Sequence, residues 1–163
     1  MAIPKKNLYV SQEVTVGNFY QYDPINSLKS YSAYEAIPFG RMVMTADGTI
    51  GKLLSGVSYP VAGISMLSKQ ATGLDSSQYE ADDAMAVADK GCVTVYNAEA
   101  IAVTDTVRVV HTAVGGKPAG SFVASKIAGY TALVSNAQYK SSASASGVVR
   151  LFINAPMTLT AEA

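Results

Sequence analysis

The sequence predicts an all-β protein, a single-domain β-sandwich or β-barrel with an extended N-terminal segment. Short runs in which apolar and polar residues alternate are separated by Gly, Pro and Asp turn residues at intervals of about ten positions, which is typical of these folds. No apolar pattern with a period of 3.6 residues is sustained anywhere. With 163 residues, of which 49% are hydrophobic, the chain is long enough for one domain with a substantial core and too apolar for disorder.

Three features organise the first part of the chain. Residues 13–20 alternate and end in two aromatic residues, which indicates a first strand. The Asp47-Gly48 pair predicts a hairpin turn between two strands, because Gly takes the positive φ that such turns need. Residues 57–67 predict a strand in which Pro60, close to the start, marks a sheet edge or a bulge.

Residues 84–96 (AMAVADKGCVTVY) have two interpretations. The first is a hairpin that turns at Asp89-Lys90-Gly91, with alternating apolar residues on either side. The second is a helix over residues 76–90 with Gly91 as its cap. The alternation with period two continues through the segment and favours the hairpin.

The remaining strand predictions lie between residue 100 and the C-terminus. Residues 147–154 (GVVRLFIN) are the strongest strand prediction in the sequence, since β-branched and aromatic residues dominate. Residues 135–147 (SNAQYKSSASASG) are rich in small residues and predict a flexible loop. Shorter strands are predicted at residues 100–103, 106–110, 121–124 and 127–134.

The aromatic residues are concentrated near the N-terminus and are the candidate interaction site. We divide the chain into residues 1–41, an extended arm with the first strands, and residues 42–163, a β-rich body. Tyr is enriched in contact patches because it combines a large apolar area with a polar tip, although these side chains could equally belong to the core. The candidate interface residues are Tyr9, Phe19, Tyr20, Tyr22, Tyr31, Tyr34, Phe39 and Arg41.

Charge excludes several classes of partner. The formal net charge is zero, so no long-range field attracts nucleic acid or an acidic membrane, and we expect neither as a partner. This net charge of zero is the sum of regions with opposite net charge. Residues 75–105 hold seven acidic residues and one lysine, a net charge of −6. The longest uncharged stretch, residues 53–68, is interrupted by Gly and Pro and is too short to span a bilayer.

The start of the chain and its cysteine content indicate where it is made. The opening residues MAIPKK are not followed by an apolar signal region, and Cys92 has no second cysteine to pair with. We therefore expect synthesis in the cytoplasm.

No catalytic residue is predicted. His111 is the single imidazole, and no G-x-S-x-G motif accompanies it, so a surface or structural role is the commoner interpretation. Cys92 is more typical of a small apolar core residue than of a nucleophile. A glycan-active enzyme stays as an alternative, because residues 75–105 could supply two carboxylates, although the sequence has no Trp for a sugar cleft.

No metal or cofactor site is predicted either. A calcium loop that begins at Asp75 would have Glu80 where Gly is needed and Ala86 where the bidentate Glu belongs. The Gly-rich segment around Lys117 differs from a phosphate-binding loop, since Lys117 is followed by Pro118 and strands flank it.

The order of several motifs resembles the structural cement, or head-decoration, proteins of tailed bacteriophages. The motifs are AIPFGRMVM (36–44), PVAGISML (60–67) and the long run from Tyr79 to Val109 with its Lys-Gly step and TDTVRV strand. The resemblance covers roughly residues 10–153. One departure follows Tyr79, where Ala81-Asp82-Asp83 replaces an expected Gly-Asp pair.

The resemblance implies a protein that binds the outer surface of the assembled phage head and stabilises the capsid lattice. Its partner would be the major capsid protein, with self-association in which a trimer is favoured over a dimer. It would act in the virion, without catalysis, metal or cofactor. The alternative from the same class is another virion component, such as a tail or fibre subunit.

Overall fold

The computed structural model describes residues 16–19, 26–67 and 77–163, and every regular element in these ranges is a β-strand. No helix in them is long and apolar enough to cross a membrane. The strands are β1 (Ser27–Ala33), β2 (Ile37–Pro38), β3 (Met42–Thr45), β4 (Ile50–Leu53), β5 (Val61–Ser65), β6 (Gln78–Tyr79), β7 (Ala84–Asn97), β8 (Arg108–Val110), β9 (Phe122–Val123), β10 (Thr131–Val134), β11 (Ala137–Tyr139), β12 (Gly147–Asn154) and β13 (Leu159–Ala161). The predicted all-β class is confirmed.

Five strands close into a β-barrel. The order is β1, β4, β3, β5 and β7, and the ring is completed because β7 also pairs with β1. The β1–β4 pair is parallel, and the other four pairs of the ring are antiparallel. The hairpin predicted at Asp47-Gly48 joins β3 to β4, where Asp47 Oδ1 accepts hydrogen bonds from the backbone N–H groups of Thr49 and Ile50.

The segment predicted as a hairpin at residues 84–96 is one continuous strand, so that prediction is wrong, as is the helix alternative. β7 runs through Asp89-Lys90-Gly91 without reversing. Its register with β1 shifts between Ser27 and Leu28, which places an irregularity of the β-bulge type where the turn was expected. Gly91 has φ +129°, and a Cβ there would lie 2.4 Å from Asn26 Oδ1. Gly91 therefore stands where the segment at Asn26 approaches the strand too closely for a side chain.

The second half of β7 carries the rest of the molecule. Residues Lys90–Asn97 pair with all of β12, whose bounds are those predicted for GVVRLFIN. β11 pairs with the other edge of β12 and lies within the stretch predicted as a flexible loop. The difference comes from Tyr139, which is fully buried and donates its hydroxyl to Val123 O at 3.3 Å. β9, β8, β10 and β13 continue the sheet beyond β7 in that order.

Two apolar clusters share β7. In the first half of the strand, Met85 and Val87 belong to the smaller cluster inside the barrel. In the second half, Val93 and Val95 belong to the larger cluster, which β12 and the C-terminal strands cover. Because of the irregularity at Asp89, the odd-numbered residues before it face the smaller cluster and those after it face the larger cluster. One strand therefore contributes to both cores.

The turn before β7 contains the departure from the cement-protein motif. Asp82 adopts φ +70°, a left-handed conformation that Gly takes without strain and that Asp tolerates better than most residues. The backbone N–H of Asp82 donates to Ala33 O, and the N–H of Ala33 donates to Asp83 O. The turn therefore forms with Asp at a position suited to Gly, and it is fastened to the end of β1.

Of the predicted N-terminal segment 1–41, the described part is built into the body. β1 is a strand of the barrel, and β2 pairs with β6 through Ile37 and Tyr79. Pro60, predicted near a strand start, directly precedes β5.

Candidate functional site

Tyr34 is the most exposed of the predicted interface residues that the structure describes. It follows β1 at one end of the barrel, and 59% of its surface is accessible. Its backbone N–H donates to Gly51 O, and Lys52 Nζ lies 3.8 Å from the centroid of its ring. The ring is therefore held at the surface by a cation–π contact rather than by burial.

Acidic side chains surround this end of the barrel. Glu35 Oε1 accepts a hydrogen bond from the backbone N–H of Leu53, and the turn bearing Glu80, Asp82 and Asp83 is bonded to the end of β1. The Asp47 turn lies away from this end, because β4 runs parallel to β1 from Ile50, and its last residue, Leu53, is the one that reaches Glu35. We call Tyr34, Glu35, Glu80, Asp82 and Asp83 the acidic end.

Two other predicted interface residues lie inside the molecule. Tyr31 is 8% exposed and points into the barrel beside Met85. Phe39 is 3% exposed and meets the Tyr79 ring edge to face, with centroids 5.1 Å apart and an angle of 89° between the ring planes. These two side chains hold their segment onto the barrel and present no area to a partner.

Phe19 and Arg41 lie partly buried on the other side of β7. Phe19 forms a bridge with Val93 and packs against the larger cluster. The Arg41 guanidinium lies 4.0 Å above the Tyr96 ring, and burial lowers the pKa of Arg41. Its Nε and Nη1 are buried and have no hydrogen-bond partner in the described part of the chain. The predicted residues Tyr9, Tyr20 and Tyr22 lie outside the described residues.

The sequence prediction missed a groove at the opposite end of the barrel. It has a volume of about 510 Å³ and is lined by the segment between β4 and β5 and by the segment between β12 and β13. At its base, Lys29 Nζ lies 2.8 Å from Asp89 Oδ2. The sequence places Asp89 in a turn, so its context gives no signal for a buried carboxylate paired with an exposed lysine. We call this feature the mouth groove.

Glu99 organises the loops of the C-terminal layer. It forms an ion pair with Lys117, from the Gly-rich loop, and accepts hydrogen bonds from the backbone N–H and hydroxyl of Ser125. Burial alone would raise the pKa of Glu99, but the bonds from Lys117 and Ser125 outweigh it and lower the pKa to about 2. A further pair joins Arg108 Nε to Glu162 Oε1 at 2.9 Å.

The residues considered for chemistry are not assembled into a catalytic group in the described ranges. His111 Nδ1 lies 3.0 Å from Thr112 Oγ1, and burial lowers the pKa of His111. Burial also raises the pKa of the Cys92 thiol, which disfavours the nucleophilic thiolate. The described residues include no group of three His, Cys, Asp or Glu side chains that could hold a metal ion.

Comparison with protein families decides the affiliation of the chain. The family model described as "Structural cement protein (E217 gp24/Pam3 gp6)" matches residues 5–154. The chain belongs to this family of phage structural cement proteins. The resemblance predicted from the motifs is thereby confirmed, and with it the role of a cement protein in the phage capsid.

A solved structure has a similar fold. The match, to a chain of "The capsid of Myoviridae Phage XM1", has a TM-score of 0.71 at 20% sequence identity and covers 90% of this chain and 95% of that one. At this identity the similarity concerns the fold, and the barrel with its added strands is thus shared with a component of a phage capsid. Comparison with curated proteins gave no match.

Proposed function

We propose that this cement protein binds the outer surface of the assembled head, contacts the major capsid protein and stabilises the lattice without catalysis or a cofactor. The observation that carries the proposal is the family match over residues 5–154, joined to a closed barrel that presents Tyr34 at one end. The protein acts in the virion after synthesis in the host cytoplasm. Neither nucleic acid nor a membrane is a partner.

The acidic end is the capsid-facing surface in this proposal. Tyr34 offers a large aromatic area, and the carboxylates around it favour a partner surface that carries Lys or Arg. Tyr31 and Phe39 contribute by fixing β1 and the following segment to the barrel, so that Tyr34 is presented without a large loss of conformational entropy. Tyr9, Tyr20 and Tyr22, which lie outside the described ranges, are proposed as further interface residues.

Stabilisation follows from mass action. A ligand that binds the expanded lattice and not its dissociated subunits shifts the equilibrium towards the lattice by RT ln(1 + [L]/Kd) per site. Self-association multiplies the effect, since linked copies bind neighbouring sites at a high effective concentration. A trimer on threefold or quasi-threefold axes is the proposed form, with a dimer on twofold axes second.

Binding of purified protein to empty expanded heads tests the proposal. We expect co-sedimentation with heads, surface features in negative-stain images, and a higher temperature of head disruption. Replacing Tyr34 by Ala should weaken binding about tenfold or more, since an exposed aromatic anchor is lost. The matched control is Tyr130→Ala, because Tyr130 is also a half-exposed tyrosine but lies before β10.

Several results would contradict parts of the proposal. Failure of the wild-type protein to bind heads would overturn the function itself, and binding to tails would favour another virion role. Equal losses for the Tyr34 and Tyr130 variants would remove the acidic end from the interface. Light scattering coupled to size exclusion separates trimer from dimer.

A further inference from the structure

The mouth groove is built from the open end of the barrel. Lys29 and Tyr31 lie two positions apart on β1 and share the face directed to the barrel interior. They pair with Val87 and Met85 of β7. Above them, the walls of the groove are mainly apolar and include Tyr59, Pro60, Met157 and Leu159. Tyr59 is 49% exposed. The mouths of β-barrels are recurrent ligand sites, because they combine apolar walls with a few fixed polar groups.

One polar atom in the groove has no hydrogen-bond partner among the described residues. The Asp89 side chain is 9% exposed, and its Oδ2 is paired with Lys29. Its Oδ1 is buried, and no group in the described part of the chain donates a hydrogen bond to it, although Ser27 helps to stabilise the carboxylate. Leaving such an oxygen without a donor is unfavourable, because its lost hydration is not replaced by a hydrogen bond. Because Lys29 already balances the charge, the missing partner is a neutral donor.

A free sheet edge adjoins the groove at Leu159. Among the described residues, β13 is the last strand of its sheet and pairs only with β10. Ser135 N–H donates to Thr158 O, and Glu162 N–H donates to Thr131 O, so residues 158 and 162 direct their backbone groups towards β10. In an antiparallel pair this direction alternates. The backbone N–H and C=O groups of Leu159 and Ala161 therefore point away from the sheet, where they can pair with an added strand.

We propose that the mouth groove and the free edge of β13 bind an extended, uncharged segment of a capsid subunit. The backbone of this segment pairs with Leu159 and Ala161, an apolar side chain enters the groove, and a hydroxyl or amide donates to Asp89 Oδ1. A polypeptide supplies all three groups at once. The inference rests on the proposed function and adds a second contact, at the end of the barrel opposite Tyr34.

Charge complementarity identifies the segment as uncharged. Among the described residues that line the groove, Lys29 and Asp89 are the charged ones, and they neutralise each other. A charged residue entering between apolar walls would lose its hydration without gaining a counter-ion. A neutral segment meets no such penalty, which separates this contact from the acidic end.

Two variants test the groove and the edge separately. Tyr59→Asp puts a charge on the groove wall, and Ala161→Pro removes an outward N–H without removing a bond of the β10 ladder. We expect each to weaken binding to expanded heads about tenfold or more while the thermal unfolding midpoint stays within a few degrees of wild type. The matched control is Val103→Asp, since Val103 is 47% exposed and lies outside the groove; its binding should stay within twofold.

Hydrogen exchange provides a readout that does not depend on variants. The amides of residues 159–161 should become protected when the wild-type protein is bound to heads. Wild-type binding without this protection, or with both variants binding within twofold, would overturn the inference and leave the proposed function intact. Normal head binding with altered self-association would assign the edge to a second copy and likewise overturn it. Failure of the wild type to bind heads would overturn the proposed function.

Discussion

At the scale of single residues, Glu99 shows how the acidic segment 75–105 is balanced. Asp89 pairs with Lys29 from before this segment, and Glu99 pairs with Lys117 from after it. The fold thus brings positive charges from both flanks to a region whose own net charge is −6. Glu99 does more than balance charge, because it also ties residues 124 and 125 to the Gly-rich loop through backbone hydrogen bonds.

Replacing Glu99 by Gln should destabilise the protein at neutral pH. The substitution removes the charge that Lys117 and Ser125 bind, at a cost of about 1–3 kcal/mol. Because the folded-state pKa is lowered to about 2 from an ordinary value of 4.5, the contribution is complete above pH 4.5 and is lost as the pH falls towards 2. Urea unfolding of both proteins across this pH range measures the difference.

Glu80→Gln is the control for this experiment. Glu80 is exposed and is bonded to Gln78 on the surface, so its replacement should change the free energy of unfolding by less than about 0.5 kcal/mol. A difference between wild type and the Glu99 variant that did not shrink on acidification would contradict the assigned role of the Glu99 charge.

The sequence could identify the aromatic group but could not sort its members. Tyr31 and Tyr34 lie three residues apart in the same SYSAY segment, yet one is buried in the barrel and the other is exposed. The difference arises because β1 ends at Ala33, and its inward face is set by pairing with β7. That pairing joins residues more than fifty positions apart, which a local pattern does not encode. The mouth groove was missed for the same reason.

At the scale of elements, Gly63 controls how closely β5 approaches β7. It has φ +144°, and a Cβ there would lie 2.1 Å from the backbone oxygen of Ala88. Backbone cannot rotate away as a flexible side chain can, so the contact requires Gly. The closure of the barrel at the β5–β7 seam depends on this position.

Gly63→Ala should therefore destabilise the protein by about 3 kcal/mol or more, because the seam must open to admit the methyl group. Gly48→Ala is a matched control. Gly48 also has a positive φ, of +81°, but nothing lies within 4 Å of the added Cβ, so the expected cost is about 1–2 kcal/mol of backbone strain. Chemical denaturation measures both, and equal losses would show that space at the seam is not limiting.

Elements defined by local chemistry were predictable, whereas the path of β7 was not. The β3–β4 hairpin and β12 follow from a turn dipeptide and a run of strand-forming residues. The sequence Asp89-Lys90-Gly91 also has the chemistry of a turn, but the chain continues because β1 and β12 pair with opposite halves of the strand. A bulge and a turn use the same residues, and long-range partners decide between them.

At the scale of the whole molecule, the two apolar clusters are joined through β7. β7 pairs with β1 and β5 in the barrel and with β12 outside it, so loss of the barrel also removes support from the strand against which β12 packs. We therefore expect a single cooperative unfolding transition, although the described residues form two apolar clusters.

Calorimetry of one variant in each cluster checks this expectation. Met85→Ala in the barrel and Leu151→Ala in the larger cluster should each lower the free energy of unfolding by about 2–5 kcal/mol and shift the same single transition. The calorimetric enthalpy should equal the van't Hoff enthalpy in each case. Two separable transitions, each sensitive to one variant, would contradict the coupling.

The length and position of β7 also bear on how the protein responds to force. Fourteen residues of extended chain measure about 45 Å, and this strand leads from the acidic end, past the base of the mouth groove, into the C-terminal layer. A pull along its axis loads the hydrogen bonds to β1 and β12 in shear, so many must break together rather than one after another. Under the proposed function, β7 resists stretching of the shell between the two proposed contacts at opposite ends of the barrel.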